Sequence, residues 1–483
     1  MSSFLLKTAK NITKNLTSIR KYSSLNASTI EYLSSIVGSS NCSVSEAIRT
    51  HHSKDESLHE EAHPDIVVFP EKTEQISKIL QFCNKNKIPA IPYGAGSGFE
   101  GGINAIKGGV SIDTSKYMNN ILEVNVEDFD CWVDSGVTRK QLNNYLKDTG
   151  LWFPIDPGAD ACIGGMCSTS ASGTNAVRFG TMRENVLNLE CVLADGTVIN
   201  TAGLKARSRK NVAGYNLTNL MIGSEGTLSV ITKVALKLFP QPETILSAVA
   251  PFPDVASAVQ STVEIMQSGL AIARIEFLDE KSIQANNIYN KMSLDETPTL
   301  FLEFHGSKGT VDQQAETAME ICKENQCKEF NWATDPEERI KLWHARHNSW
   351  FAFKSIHPNR KAISTDVCVP ISKLPEILVQ TKKDIEELNL KTVIVGHVGD
   401  GNFHTFISLD PTDKEEMNRY HAYSEKLVRH AIKVEGTCTG EHGIGLGKMK
   451  YMEEQFGKSP IETMRIIKRA LDPNNILNPG KIF

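Results

Sequence analysis

No apolar run in this chain approaches the roughly 20 residues that a membrane-spanning helix needs. The greasiest stretch, Leu228 to Phe239, is broken by Lys233 and Lys237. Basic charge is not in excess either. The 52 Lys and Arg stand against 57 Asp and Glu, a net charge of −5, which removes the broad cationic footprint of a nucleic-acid binder. No Cys-x-x-Cys occurs among the ten cysteines, so neither a zinc ribbon nor a thioredoxin-type redox pair is indicated. Two pairs, 162/167 and 322/327, are five apart, a weak metal or disulfide signal beside the reading of buried free thiols. Internal repeats and low-complexity tracts are also missing, and the 33 Gly and 19 Pro are ordinary globular values, which excludes fibrous and disordered classes. The expectation is a soluble, multidomain protein of 483 residues.

One local absence is more pointed. No acid precedes Glu31, whereas Lys7, Lys10, Lys14, Arg20 and Lys21 all fall in the same Ser/Thr-rich segment. Phe4, Leu5, Ile12, Leu16 and Ile19 are spaced to line one face of a helix. A basic, acid-poor, amphipathic start reads as a mitochondrial transit peptide over residues 1–22, and Arg20-Lys-Tyr22-Ser23 resembles a matrix-peptidase site cut after Tyr22. The alternative is a basic surface helix. Cleavage would remove five of the 52 cations and none of the 57 acids, taking the net charge from −5 to −10.

Beyond that segment, residues 23–61 read as a polar, largely helical arm. Short strands at Ile66–Phe69, Ala90–Tyr93, Val110–Asp113, Ile121–Val126 and Cys131–Asp134 follow, with helices over Thr73–Asn86 and Arg139–Thr149. Ala194-Asp195-Gly196 marks a hairpin between Leu187–Leu193 and Thr197–Thr201. Pro240 and Pro242 close this block, giving a first domain over 62–241. From Thr244 strands alternate with long helices, the pattern of an α+β domain built on one open sheet, assigned to 242–455. Lys361–Val369, Lys391–His397 and Asn402–Leu409 are among its strands, and 456–483 forms a closing segment.

Gly96-Ser-Gly98-Phe-Glu-Gly101 matches G-x-G-x-x-G after a strand, but the helix and the acid about 20 positions on that a nicotinamide site requires are absent. The physics of the loop remains. Glycines 94, 96, 98, 101 and 102 expose backbone N–H groups to an anion without Cβ obstruction. Pro157 to Asp160, Gly164-Gly165, the small-residue run Ser168 to Asn175, and Gly223-Ser-Glu225-Gly226 add close-approach surfaces suited to a large flat ligand. In this order, with Arg178-Phe-Gly180, these segments resemble the PCMH-type FAD-binding domain of vanillyl-alcohol oxidase-type flavoenzymes, over Asp65 to Phe239. The resemblance implies FAD held by Gly94, Gly96, Ser97, Gly98, Gly101, Pro157, Gly164, Gly165, Thr169, Ser172, Gly173, Asn175, Gly180, Glu225, Gly226, Ile231 and Asn478. Some relatives bond the flavin to a His at the first loop. Positions 92–109 hold neither His nor Cys, so the flavin is expected to be non-covalent.

The second half carries Gly396-His397-Val-Gly-Asp400-Gly401-Asn402-Phe-His404 and Gly440-Glu441-His442-Gly443. Two His seven apart across a strand–turn–strand, with a distant Glu, make an N₂O set suited to Zn²⁺ or Mn²⁺. Side chains of adjacent extended residues diverge, so Glu441 is assigned to the metal with His397 and His404, and His442 is left as a base. The bland reading, histidines satisfied inside a core, suits a single His better than this Gly-rich cluster. These motifs resemble the C-terminal domain of FAD-linked 2-hydroxy-acid dehydrogenases, down to the closing Leu471-Asp-Pro-Asn-Asn-Ile-Leu-Asn478-Pro-Gly-Lys481. In that family an Arg of a Trp-x-x-Arg motif grips the substrate carboxylate, a role that falls here to Arg346 of Trp343-His-Ala-Arg346. Relatives acting on 2-hydroxyglutarate commonly add a Lys just before the segment equivalent to Thr365-Asp366, near where this chain has Ser364, which favours a monocarboxylate, and the run of three His in alkyl-phosphate-transferring cousins is absent.

The expected fold is α+β: a two-part FAD-binding domain plus a substrate (cap) domain with an open antiparallel sheet and helices on one face. The expected reaction is oxidation of D-lactate to pyruvate, with the hydroxyl polarised by the metal, its proton taken by His442, and hydride passed to FAD. D-2-hydroxyglutarate and glycolate are the alternative substrates, a metal-dependent hydrolase or a purely electron-relaying flavoprotein the alternative classes. The resemblance further implies cytochrome c as electron acceptor.

Overall fold

The computed structural model describes residues 26–333 and 335–483; the transit-peptide reading of residues 1–22 lies outside the described residues. A small mixed sheet begins the fold. Strands β1 (Cys42–Ser43), β2 (Ile66–Val68), β3 (Ala90–Tyr93) and β4 (Val110–Asp113) lie in the order β1-β2-β4-β3. β2 and β3 both run parallel to β4, and the helix Thr73–Asn86 makes the crossover between them. That helix buries Ile76, Ile79, Leu80 and Cys83, the stripe expected of an amphipathic helix, into a core shared with β2 and β4.

The second sheet is antiparallel, in the order β5-β6-β10-β8-β9, from β5 (Ile121–Asn125), β6 (Asp130–Asp134), β8 (Val186–Val192), β9 (Val198–Asn200) and β10 (Val230–Lys237). A two-stranded pair, β7 (Leu151–Trp152) with β11 (Phe239–Pro240), accompanies it. The segment of small residues begins as a helix, Ile163–Thr169, whose Ile163, Met166 and Cys167 face the core; Gly164 is buried against Ser135, and only Gly165 is left exposed.

The third sheet spans the second half in the order β15-β12-β14-β13-β18-β19-β16. Its strands are β12 (Thr244–Pro251), β13 (Ile272–Leu278), β14 (Thr299–Gly306), β15 (Asn331–Ala333), β16 (Lys361–Ser364), β17 (Val367–Cys368), β18 (Lys391–His397) and β19 (Asn402–Leu409), with β17 paired to β19 beside β16. The period of two sorts its side chains. Ala248, Leu302, Phe277, Ile394 and Phe403 pack under the helices Val255–Gln267, Lys308–Glu324, Leu374–Glu387 and Lys414–Lys433. Val249, Phe301, Leu278, Val395 and Phe406 point to the other face, where three shorter helices, Glu280–Asn290, Pro336–His347 and Ser349–Ser355, cover part of the sheet. Each such apolar side chain contributes roughly 1.5–3 kcal/mol relative to exposure. The four longer helices cover one face, and the part of the second face that the three shorter helices leave open carries the polar residues described below.

One expected strand is divided. Lys361–Val369 breaks after Ser364 because Asp366 turns its carboxylate out of the ladder to a neighbouring loop, and pairing resumes at Val367. The chain ends on the first domain: Ala90 N donates to Ile476 O (2.8 Å) and Asn478 N to Ala90 O (2.9 Å).

Candidate active site

A cavity of about 490 Å³ lies between the two halves. On the first half it is lined by Gly94 to Gly98, Pro157, Gly164, Gly165, Thr169, Glu225, Gly226 and Ile231, with Asn478 of the closing segment; on the second half by Arg346, His397, His404, Glu441 and His442. Gly102, Gly158 and Gly165 line it too, and a Cβ built on any of them meets nothing within 4 Å, so the volume these glycines leave belongs to the cavity. The first half contributes acids to the wall (Asp55, Glu56, Glu100, Asp156, Glu225) but no Lys or Arg, so an anion on that side is met by backbone N–H groups and not by cations.

Five residues expected to hold the cofactor stand behind this wall. Gly101 donates its N–H to Asp55 Oδ2 (2.7 Å), as Gly102 does at 3.2 Å, so part of the glycine loop is already satisfied by a carboxylate of the N-terminal arm. Gly173 packs on the Asp156 backbone, and Ser172 is buried beside it. Asn175 is a strut between the halves, donating to Pro154 O (3.0 Å) and accepting from Arg274 Nε (2.8 Å). Gly180 ends the helix Ala176–Phe179 at φ 74 against Glu184. Glu225 lines the cavity, yet its two oxygens each take a backbone N–H from the second half, Ile444 and Gly445 at 2.7 Å.

On the second half the sheet register brings the histidines together. His404 pairs with Val395, two residues from His397 on the adjoining strand, so the two imidazoles sit diagonally on one face. The turn Val398–Asp400 between them closes on Gly401 at φ 85, where a Cβ would come 2.0 Å from Val369 O. Both Nε2 atoms face Glu441 Oε1, His397 at 3.3 Å and His404 at 3.1 Å. Both Nδ1 atoms are held from behind, His397 by Glu276 Oε1 (2.7 Å) and His404 by Thr365 O (3.0 Å). One donor atom from each of His397, His404 and Glu441 lies within 4.8 Å of the others, and Glu441 Oε2 is buried without a partner among the described residues. Burial penalises the charge on His397, but the Glu276 and Glu441 carboxylates win and hold it well above its ordinary value. Burial likewise opposes ionisation of Glu441, and His397 and His404 hold it below the usual carboxylate range.

His442 is stacked between His404 (ring centroids 5.0 Å apart) and Phe99 of the glycine loop (4.8 Å). Its Nδ1 is buried without a partner among the described residues, and burial pushes the imidazole down to about 4. Arg346, 6% exposed, bonds through Nη2 to Glu276 Oε2 (2.5 Å), and its Nε has no partner among the described residues.

The loop bearing Glu441 and His442 is organised by Asp366, which had no assigned role in the sequence. Its Oδ2 accepts from Thr439 Oγ1 (2.7 Å), Gly440 N (2.8 Å), Glu441 N (3.0 Å) and His442 N (3.0 Å), and Oδ1 accepts from Asn402 Nδ2 (2.8 Å). Burial alone would raise this acid, yet Lys448, His442 and His404, with these N–H donors, hold it well below its ordinary value. Glu276, Glu100, Asp55 and Lys448 were also missed. An isolated buried acid carries no sequence signal until a cation or a row of N–H groups is shown beside it.

A family model described as FAD linked oxidases, C-terminal domain, matches residues 241–482, and one for an FAD binding domain matches 64–202. This chain belongs to the FAD-linked oxidase family. It is 53% identical to a probable mitochondrial D-lactate dehydrogenase of Danio rerio, over 96% of this chain and 94% of that protein. It is 44% identical to the mitochondrial D-lactate dehydrogenase [cytochrome] of Arabidopsis thaliana, over 87% of this chain and 73% of that one. Among solved structures, a 4-ethylphenol oxidase from Gulosibacter chungangensis superposes with a TM-score of 0.77 at 19% identity, covering 94% and 96% of the two chains, a likeness of fold. As a family member the chain is an FAD-linked oxidoreductase, and its localisation, like that of these relatives, is mitochondrial. Bare glycines open onto the cavity, so backbone N–H groups are the donors this side offers to a large cofactor.

Proposed function

We propose that this chain oxidises D-lactate to pyruvate and passes the electrons to cytochrome c. The observation that carries the reading is the convergence on one cavity of a buried guanidinium with an unpartnered Nε, a His₂Glu donor set with an unpartnered oxygen, and an imidazole kept neutral by burial. Its support from relatives is the set of mitochondrial D-lactate dehydrogenases that align across nearly the whole chain.

In this reading Arg346 binds the substrate carboxylate with the donors that Glu276 leaves free. His442, neutral at physiological pH, accepts the hydroxyl proton, and stacking between His404 and Phe99 holds its ring in place. FAD, non-covalently bound, supplies the acceptor for the hydride that leaves the α-carbon. His397, His404 and Glu441 would hold a divalent ion, Zn²⁺ or Mn²⁺, whose chemistry there is Lewis acidity toward the substrate hydroxyl. Val395, Phe406, Trp350 and Phe99 exclude water around the reacting carbon. In domain terms we assign 23–61 to an arm, 62–241 to FAD binding, 242–455 to the substrate domain and 456–483 to a segment that returns to the flavin side.

The test is anaerobic bleaching of the yellow protein by D-lactate and not by L-lactate. His442→Ala should keep its FAD and lose flavin reduction by about 10²–10⁴-fold. Wild-type reduction rates in that variant would refute the role, and a colourless protein carrying only metal would favour the hydrolase reading.

A further inference from the structure

Glu276 is 1% exposed, and its carboxylate is divided between two functional groups. Oε2 accepts from Arg346 Nη2 at 2.5 Å, and Oε1 meets His397 Nδ1 at 2.7 Å. The register accounts for the second contact: Phe277 pairs with Gly396 and Leu278 with Val395, so the next position sets Glu276 across from His397 on the same face of the sheet. Arg346 descends onto that face from the helix Pro336–His347. His397 then turns Nε2 to Glu441 at 3.3 Å. Arg346, Glu276, His397 and Glu441 form one buried chain from the anion-binding guanidinium to the cation-binding donors.

Sharing one carboxylate has physical consequences at both ends. When a cation displaces the proton from Nε2, the acceptor at Nδ1 keeps the remaining proton on that nitrogen, the tautomer a cation requires. A cation on Nε2 makes the Nδ1–H more acidic and draws the carboxylate's charge toward His397, which leaves the Arg346 charge less neutralised and its grip on an anion stronger. An anion on Arg346 has the converse effect, returning more of the carboxylate to His397. Linkage requires the two effects to be equal in free energy.

Resting on the function proposed above, we infer that Glu276 is a positioning residue that couples the two ends of the substrate site, so that anion binding at Arg346 and cation binding at His397, His404 and Glu441 reinforce one another through its carboxylate. Direct contact between a bound 2-oxo acid and the cation is a second source of coupling, and it would survive the loss of Glu276. The two sources are therefore separable.

The experiment uses the FAD-loaded protein stripped with a chelator. Mn²⁺ is titrated by calorimetry with and without saturating pyruvate, for the wild type, Glu276→Gln and Glu276→Asp. Gln keeps the size but not the charge; Asp keeps the charge but is too short to span both partners. In the wild type pyruvate should tighten Mn²⁺ binding, and no tightening would overturn the inference. Glu276→Gln should weaken Mn²⁺ by about 10–100-fold, the usual effect of removing such a supporting partner, and should shrink the tightening factor; Glu276→Asp should fall between. A tightening factor equal to wild type in Glu276→Gln would overturn the inference, whatever the change in Mn²⁺ affinity. If that variant fails to retain FAD, wild-type coupling in Glu276→Asp would overturn it instead. Bleaching of the wild type by D-lactate is read separately: its failure removes the proposed function, while Mn²⁺ affinity without pyruvate still decides whether Glu276 supports His397.

Discussion

Replacing Asp366 by Asn tests whether one buried carboxylate holds the catalytic loop. Asp366 is 1% exposed, with Oδ2 collecting four donors from residues 439–442 and Lys448 Nζ lying 3.5 Å away. Asn has nearly the same shape but one acceptor oxygen in place of two, and no charge. One oxygen's donors must then face an NH₂ group, and Lys448 is left with Glu100 at 3.3 Å as its remaining carboxylate. Removing one partner of a buried ion pair costs about 3–5 kcal/mol, and a charge-assisted hydrogen bond is worth roughly 1.5–3 kcal/mol. Relaxation of the loop toward the cavity offsets part of this, so a loss of about 3–5 kcal/mol is expected, read by urea denaturation at neutral pH. The second readout is local. Because Asp366 holds the backbone of Glu441 and His442, the variant should bind Mn²⁺ more weakly while keeping its FAD, whose expected wall lies on the other half. A stability within 1 kcal/mol of wild type, together with wild-type Mn²⁺ affinity, would refute the reasoning.

Three further outcomes are expected. Gly165→Val places a branched side chain in cavity volume, so FAD content on purification should drop, with affinity down at least about tenfold and the melting of the apoprotein little changed. Asp279 caps the helix Glu280–Asn290 through Ser282 N, and burial, helped by Glu280, pushes it up to about 7. Its folded value lies above its unfolded one, so the native state retains the proton longer and stability falls as pH rises from about 4 to 7. Asp279→Asn keeps the cap without the charge, and should remove that slope, gaining up to about 2–4 kcal/mol at pH 8 in denaturant titrations; an unchanged slope would refute the assignment. Finally, with a net charge of −5, reduction of cationic cytochrome c, the proposed acceptor, by the substrate-reduced enzyme should slow severalfold between low salt and about 0.2 M salt; a rate indifferent to salt would argue against an electrostatically guided acceptor.

Much of the secondary structure was legible because it depends on local periodicity. Thr73–Asn86, Ala90–Tyr93, Val110–Asp113 and Lys391–His397 lie where the pattern places them. The helix Ile163–Thr169 was not legible: a run of Gly, Ser, Thr and Cys has weak helical propensity, and it is helical here through packing of Ile163, Met166 and Cys167. The break in Lys361–Val369 was hidden for a different reason, since Asp366 leaves the ladder for donors more than 70 residues away in the chain.

By itself, the sequence determined the types of group available: glycine loops without room for a nicotinamide helix, a His–turn–His hairpin, a Glu-His pair and a Trp-x-x-Arg helix. Residue identity and short spacing settle such things because they depend on backbone freedom and the two- and 3.6-residue periods. Only the tertiary structure decided which groups share an environment. It set Glu276 across from His397, put Asp366 beneath the Glu441 loop, gave two amides of the glycine loop to Asp55, and made Asn175 a strut between the halves. Those pairings depend on strand register and domain docking, and a buried charge acquires its meaning from its partner.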